Sequence, residues 1–295
     1  MSSPYPWPLL PFDHQHPVRA FMCDPRIQGG GKTFHFGIDI AAPAGTPVFA
    51  VAPGKVSYGS PGDVAANGGI VVVEAAGRNF GHWHVAPAVK AGTHVALHDL
   101  IGHVSSQPED WGHVHFAEST HDAAGILYWN PLRPGAITPF FDYGPPVIDA
   151  IVTSLPAGRL HGHVDLSVKA HDNTPIAITQ PKPPGWSGMP VTPALIRWRL
   201  LHGSAAVVPW RVAVDRRTSF RPHVQGSPAT DTSFASVFAP DTTQSNPFTP
   251  GSYHFWLARG FDTTKHPNGV YSLEVEASDV RGNPRVGHLA VTIAN

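Results

Sequence analysis

An all-β fold is what this sequence predicts, and three features predict it. Proline (32) and glycine (29) punctuate a chain of 295 residues at a density that favours short strands and many turns over long helices. Apolar and polar residues alternate with period two in run after run, the pattern of strands that bury one face. No stretch carries an amphipathic helical pattern beyond a turn or two. The length suffices for two domains, each with its own core. We place them at residues 1–145 and 146–295, with the boundary near Phe141-Asp-Tyr-Gly-Pro-Pro146.

Three segments of the first half read as strands that carry chemistry: Phe34-His-Phe-Gly-Ile-Asp-Ile40, Asn79-Phe-Gly-His-Trp-His84 and Trp111-Gly-His-Val-His-Phe-Ala-Glu118. Residues two or four apart on a strand share a face, so His35 and Asp39 point together, and so do His113 and His115. Neutral imidazoles and one carboxylate are borderline ligands that suit zinc and leave a position for water, whose pKa the metal lowers. His82 and one of the pair His113 and His115 then remain to move a proton or donate to an oxyanion. The chemistry in outline is amide hydrolysis.

Around these segments stand Ala42-Pro-Ala-Gly-Thr-Pro-Val-Phe-Ala-Val51, Pro53-Gly-Lys-Val56, Val89-Lys-Ala-Gly-Thr-His-Val95, Ile101-Gly-His-Val104 and Asn130-Pro-Leu132. Together with H-x-x-x-D, a histidine segment and H-x-H in that order, they resemble the lysostaphin-type zinc endopeptidases of bacterial cell walls over roughly residues 15–140. The resemblance implies an antiparallel β-sheet peptidase domain with His35, Asp39 and His115 as zinc ligands and His82 and His113 as catalytic histidines. It implies peptidoglycan peptides as substrate, cut at a stem peptide or cross-bridge, and an extracytoplasmic or secreted location. Phe80 and Trp83 replace the Tyr and Leu usual around the histidine, Asp110-Trp111-Gly112 replaces the T-G-x lead into H-x-H, and Ala117 stands where an acidic or amide residue often follows the Phe. These departures bear on substrate preference. No lysine stands in an M-K-M or D-K-A context, which argues against a lipoyl or biotinyl carrier built from similar hairpins.

The remaining histidines of the 19 receive no role. His84 is expected at the surface or supporting a neighbour, with a place in the lining of the cleft as the alternative. His14 and His16 lie in a Pro-rich arm read as a solvated tail or a supporting contact. Asp110 is expected to close a loop, with orientation of a catalytic histidine as the alternative. The single Cys23 excludes an intrachain disulfide and is expected to be a small buried hydrophobe. A formal charge of −1 without a basic block points away from nucleic acid and anionic membrane surfaces. No run reaches the length of a membrane span. The segment from Met1 to Phe12 lacks a positive n-region and is broken by prolines, so it does not read as a signal peptide.

The second half alternates through Leu160–Ala170, Leu195–Leu201, Pro209–Asp215, Gly269–Asp279 and Gly287–Ile293. Strands at this spacing suggest a sandwich, and Gly269-Val-Tyr-Ser-Leu-Glu-Val-Glu-Ala-Ser-Asp279 resembles bacterial immunoglobulin-like modules. Residues 173–192 and 218–250 read as loops. Trp186, Trp198, Trp210 and Trp256 are read as core residues, with a sugar-stacking platform as the alternative. A monomer is expected. The alternative from a different class is a non-catalytic cell-wall-binding or regulatory protein that docks partners in the same cleft.

Overall fold

The computed structural model describes residues 4–28, 31–60, 68–107, 112–178, 189–222, 233–246 and 249–295, and it is nearly all β. Among the described residues no helix is long and apolar enough to cross a membrane. The principal sheet of the first half runs Val18–Ala20, Ile38–Ala41, His113–Asp122, Arg78–Trp83, Ile70–Ala75, Gly54–Ser60, His94–Val95, every neighbouring pair antiparallel. Gly125–Trp129 turns back on the far end of His113–Asp122. A smaller sheet of Pro47–Phe49, Leu100–Val104 and Val85–Pro87 contributes Val48, Ile101, Val104 and Val85 to the same core.

Register decides which side chains share a face, because residues directly opposite in an antiparallel pair project to the same side. His115 lies opposite Asp39 on one side and Trp83 on the other, whereas Phe116 lies opposite Ile38 and His82. Ile38, Ile40, Val71, Val73, Phe80, Val114 and Phe116 all belong to the buried core. His82 therefore points into that core, away from the face of Asp39 and His115. It is 0% exposed, packs edge-on to Phe116 at 5.2 Å between ring centres and sets Nδ1 3.3 Å from the Val71 carbonyl. The expectation that His82 enters the cleft is corrected by this parity.

The arm ahead of the first strand is not a solvated tail as a whole. Tyr5 and Trp7 are buried, with Trp7 Nε1 donating to the Pro139 carbonyl at 2.7 Å, while His14 stays exposed beside Asp13. Tyr5 also donates to Glu118 Oε2 at 2.7 Å. Glu118, 0% exposed, further accepts from Arg133 Nη1 at 2.6 Å and Nη2 at 2.9 Å and from Arg78. A buried carboxylate is tolerable only when its oxygens are satisfied in this way. Arg133 is held in turn by the Asn130-Pro-Leu132 turn, in which the Leu132 amide donates to Asn130 Oδ1 at 3.0 Å.

In the second half, a sheet of Val147–Thr153, His163–Asn173, Pro190–Val191 and His254–Asp262 faces one of Arg159–Leu160, Pro284–Ile293, Gly269–Ser278, Leu195–His202 and Ala205–Asp215. Val164, Leu166 and Val168 from the first meet Trp198, Leu200, Leu273 and Val275 from the second in one apolar core. That core also takes Met22, Cys23, Phe34 and Phe220, and the first half's core takes Val191, Ala194 and Val280. Cys23 is a buried hydrophobe, and burial pushes its thiol up to about 12. Trp198 is core, Trp210 carries Arg197 and Arg199 over its ring, and Trp186, with half of the 173–192 segment and part of the 218–250 segment, lies outside the described residues.

Two outcomes follow from these buried groups. Glu118→Ala removes the carboxylate partner of Arg133 and the acceptor of the Tyr5 hydroxyl and should cost about 3–5 kcal/mol, read as a lowered denaturant midpoint at unchanged m-value. Burial depresses His82 to about 4, below its unfolded value near 6.5, so the unfolded chain takes up a proton that the folded chain refuses. The stability tied to this ring is whole above about pH 6.5 and is lost as pH falls toward 4. His82→Phe should flatten the denaturation midpoint across that window, and an unchanged slope would refute the assignment.

Candidate functional site

The solvent-facing side of the principal sheet gathers His35, Asp39, His113 and His115. Asp39 sits mid-strand opposite His115, but His35 does not share its strand. His35 lies in the bend ahead of Ile38–Ala41, its amide donating to the Asp24 carbonyl at 2.9 Å and its carbonyl accepting from the Cys23 amide at 2.7 Å. The i, i+4 pair expected on one regular strand is thus formed by a bend. Gly37 lets this bend lie close against His113–Asp122, since a Cβ there would stand 2.3 Å from the Phe116 carbonyl oxygen.

Three lone-pair atoms converge. His35 Nε2 is 2.9 Å from Asp39 Oδ1 and 2.6 Å from His115 Nδ1, and His115 Nδ1 is 3.0 Å from Asp39 Oδ1. His35 Nδ1 lies 2.9 Å from the Phe21 carbonyl, a partner that only an N–H can satisfy. That assignment places the proton on Nδ1 and leaves Nε2 as a bare acceptor facing two others. Such a trio asks for a cation between its members, and two imidazoles with one carboxylate fit zinc.

The electrostatics agree with that fit. Burial first, then the Arg26 guanidinium, depresses His35 to about 4, so its ring is neutral near pH 7, the form that ligates a metal. Burial works to raise the Asp39 carboxyl, but its histidine neighbours His35, His113 and His115 outweigh it and hold the group well below the usual carboxylate range. Arg26, carried on the hairpin of Pro25–Gln28 and Gly31–Phe34, sets Nη2 3.1 Å from Asp39 Oδ2. It occupies one carboxylate oxygen and leaves Oδ1 to the cleft. No spacing in the sequence pointed to Arg26.

His113 completes the face, with Nε2 3.7 Å from Asp39 Oδ1. Its neighbour is His84, whose ring centre lies 4.5 Å away. His82 and His84 have the same strand parity, yet only His84 reaches this face. His84 has a left-handed backbone, φ +64°, at the break between Arg78–Trp83 and Val85–Pro87, and this turns its side chain out of the alternation that buries His82. The Trp83 indole lies over Gly81 and stands edge-on to His115 at 5.0 Å, walling one side. Asp110 and Trp111 fall outside the described residues.

Comparison with known proteins adds the family. Among solved structures the chain is similar to Helicobacter pylori Csd3 (19% identity, 40% of this chain and 32% of that one, TM-score 0.32), so it spans about a third of that protein's length. It is also similar to a mutant catalytic domain of the prophage-encoded M23 protein EnpA from Enterococcus faecalis (28% identity, 38% and 86%, TM-score 0.31) and to lysostaphin in solution (14% identity, 92% and 100%, TM-score 0.33). No curated protein sequence matches it. The family model of peptidase family M23 matches residues 33–124, a span that includes His35, Asp39, His84, His113 and His115. The chain therefore carries a peptidase family M23 domain at residues 33–124.

Proposed function

We propose that this chain is a zinc-dependent endopeptidase that hydrolyses peptide bonds of bacterial peptidoglycan outside the cytoplasm. In this reading residues 1–145 form the peptidase domain and 146–295 an immunoglobulin-like accessory domain of a monomer. The observation that carries the chemistry is the convergence of His35 Nε2, Asp39 Oδ1 and His115 Nδ1 within 3.0 Å of one another, beside two further histidines. The substrate class rests on the resemblance to lysostaphin-type enzymes.

His35, Asp39 and His115 hold the metal. When bound, zinc supplies Lewis acidity toward a carbonyl oxygen and lowers the pKa of a coordinated water. His113 and His84, with ring centres 4.5 Å apart, handle protons at the edge of the cleft. One neutral imidazole accepts a proton from the nucleophile and returns it to the departing amine, while the other donates toward the oxygen on which negative charge develops. His84 takes the role that the sequence reading gave to His82. Arg26 fixes Asp39 by its outer oxygen, and Trp83 excludes water from the His115 side.

Purified peptidoglycan incubated with the protein and added zinc, read by mass spectrometry for newly freed amines, tests this reading. Asp39→Asn and His115→Ala should lose zinc, measured by equilibrium dialysis, together with all cleavage, and a chelator should stop the native chain. His84→Ala and His113→Ala should keep zinc and lose roughly 10²–10⁴ in rate. His82→Phe should cleave at close to the native rate. A fully active His84→Ala protein, or an inactive but folded His82→Phe protein, would sink the assignment of histidines.

A further inference from the structure

A second cluster of ligating groups lies far from the histidines in the chain. Asp142 belongs to the segment leaving the first half, Asp172 to the end of His163–Asn173, and Asp279 follows Gly269–Ser278 directly. One carboxylate oxygen from each lies within 4.8 Å of the other two, and the residues are 5%, 2% and 0% exposed. Like charges buried this closely repel one another unless something positive sits between them.

The hydrogen bonds leave the cluster incomplete. Asp279 is satisfied: Oδ1 accepts from the Arg281 and Asn283 amides at 2.9 and 2.8 Å, and Oδ2 from Asn283 Nδ2 at 2.6 Å. Asp142 Oδ1 accepts from the Gly144 amide at 3.2 Å and Asp172 Oδ1 from the Asn173 amide at 2.8 Å. The Oδ2 atoms of Asp142 and Asp172 are sealed from solvent and accept no hydrogen bond. An orphaned buried carboxylate oxygen needs an explanation, and two side by side need the same one. Arg281 is the nearby cation, yet its guanidinium lies over the Phe140 ring at 5.0 Å from the ring centre, and its Nε is itself buried without a partner.

We propose that Asp142, Asp172 and Asp279 form a binding site for a hard divalent cation, calcium by its tolerance of irregular, all-oxygen coordination. The donor set is carboxylate alone, which disfavours the softer metals that suit the histidine site. A cleft lined by Asp142, Gly144, Asp172, Asn173 and Thr174 adjoins the cluster. Burial, then mutual repulsion, pushes Asp142 up to about 6 and Asp172 up to about 8, a penalty that a bound cation removes. The Asn283 side chain also donates to the Asp142 carbonyl at 2.9 Å, so the ion would clamp the connecting segment onto the second half.

The test uses the full chain, stripped of divalent ions on a chelating resin and reloaded with one equivalent of zinc, then titrated with calcium chloride or magnesium chloride by calorimetry and thermal melting. One calcium per chain should bind. The melting temperature should rise by about 5 °C or more at a calcium concentration near 100 times Kd. The Asp39→Asn protein should respond equally, which separates this site from the histidine site and from the fate of the peptidase reading. Asp172→Asn and Asp142→Asn, each of which removes a repelling charge and should fold at least as well without calcium, should bind it about 100-fold more weakly. No uptake of either ion, or uptake unchanged in both variants, overturns the proposal. Magnesium taken up in place of calcium overturns the choice of ion.

Discussion

The register of His113–Asp122 between its two neighbours is the constraint on which the first half depends. This strand pairs with Ile38–Ala41 on one edge and Arg78–Trp83 on the other, and its alternate residues serve opposite needs. Val114 and Phe116 fill the core, while His113 and His115 face the cleft. A slip of one residue would exchange these sets, exposing two large apolar side chains and burying two imidazoles. Core packing therefore enforces the geometry of the site: the free energy that keeps Phe116 buried also keeps His115 opposite Asp39. Glu118 adds a second lock further along the same strand, since its carboxylate meets Tyr5, Arg78 and Arg133 only in this register.

His84 shows how the sheet brings an imidazole to the cleft where alternation alone would not. A left-handed backbone at a residue with a Cβ costs roughly 1–2 kcal/mol, and such strain persists where the surroundings over-determine it. Here the Ser105 amide donates to the His84 carbonyl at 2.8 Å, and a Cβ on Gly68 would stand 3.0 Å from the His84 Cα. The segment is gripped on two sides. What the strain achieves is a change of face within two residues, from His82 in the core to His84 beside His113.

Much of this was legible in the sequence, and what was not has identifiable causes. Period-two alternation gave the all-β class and the pairing of His113 with His115, because both follow from local backbone geometry. The motif order gave His35, Asp39 and His115 as a set, and these three converge. The choice between His82 and His84 was beyond periodicity, since they share a parity and are separated only by one φ angle. The bend at Gly37 was similarly hidden, although it yields the same juxtaposition that a regular strand would. Arg26 reaches Asp39 through a hairpin contact with no local signature, and the burial of Tyr5 and Trp7 has none either, because tertiary contacts decide it.

The two groups of buried carboxylates make opposite arguments about the same stretch of chain. Glu118 is surrounded by donors, among them Arg133 just after the Asn130-Pro-Leu132 turn, and its charge needs nothing further. Nine residues beyond Arg133, Asp142 joins Asp172 and Asp279 with two oxygens unmet. The stretch between them is pinned at Pro139 by the Trp7 indole and at Asp142 by Asn283, so it is anchored to the first half at one end and to the second half at the other. A connector held at both ends transmits the position of one half to the other, whereas a slack one would not. The satisfied carboxylate fixes the first anchor permanently. The unsatisfied cluster sits at the second anchor, where the grip on the connector depends on what fills the space between three aspartates.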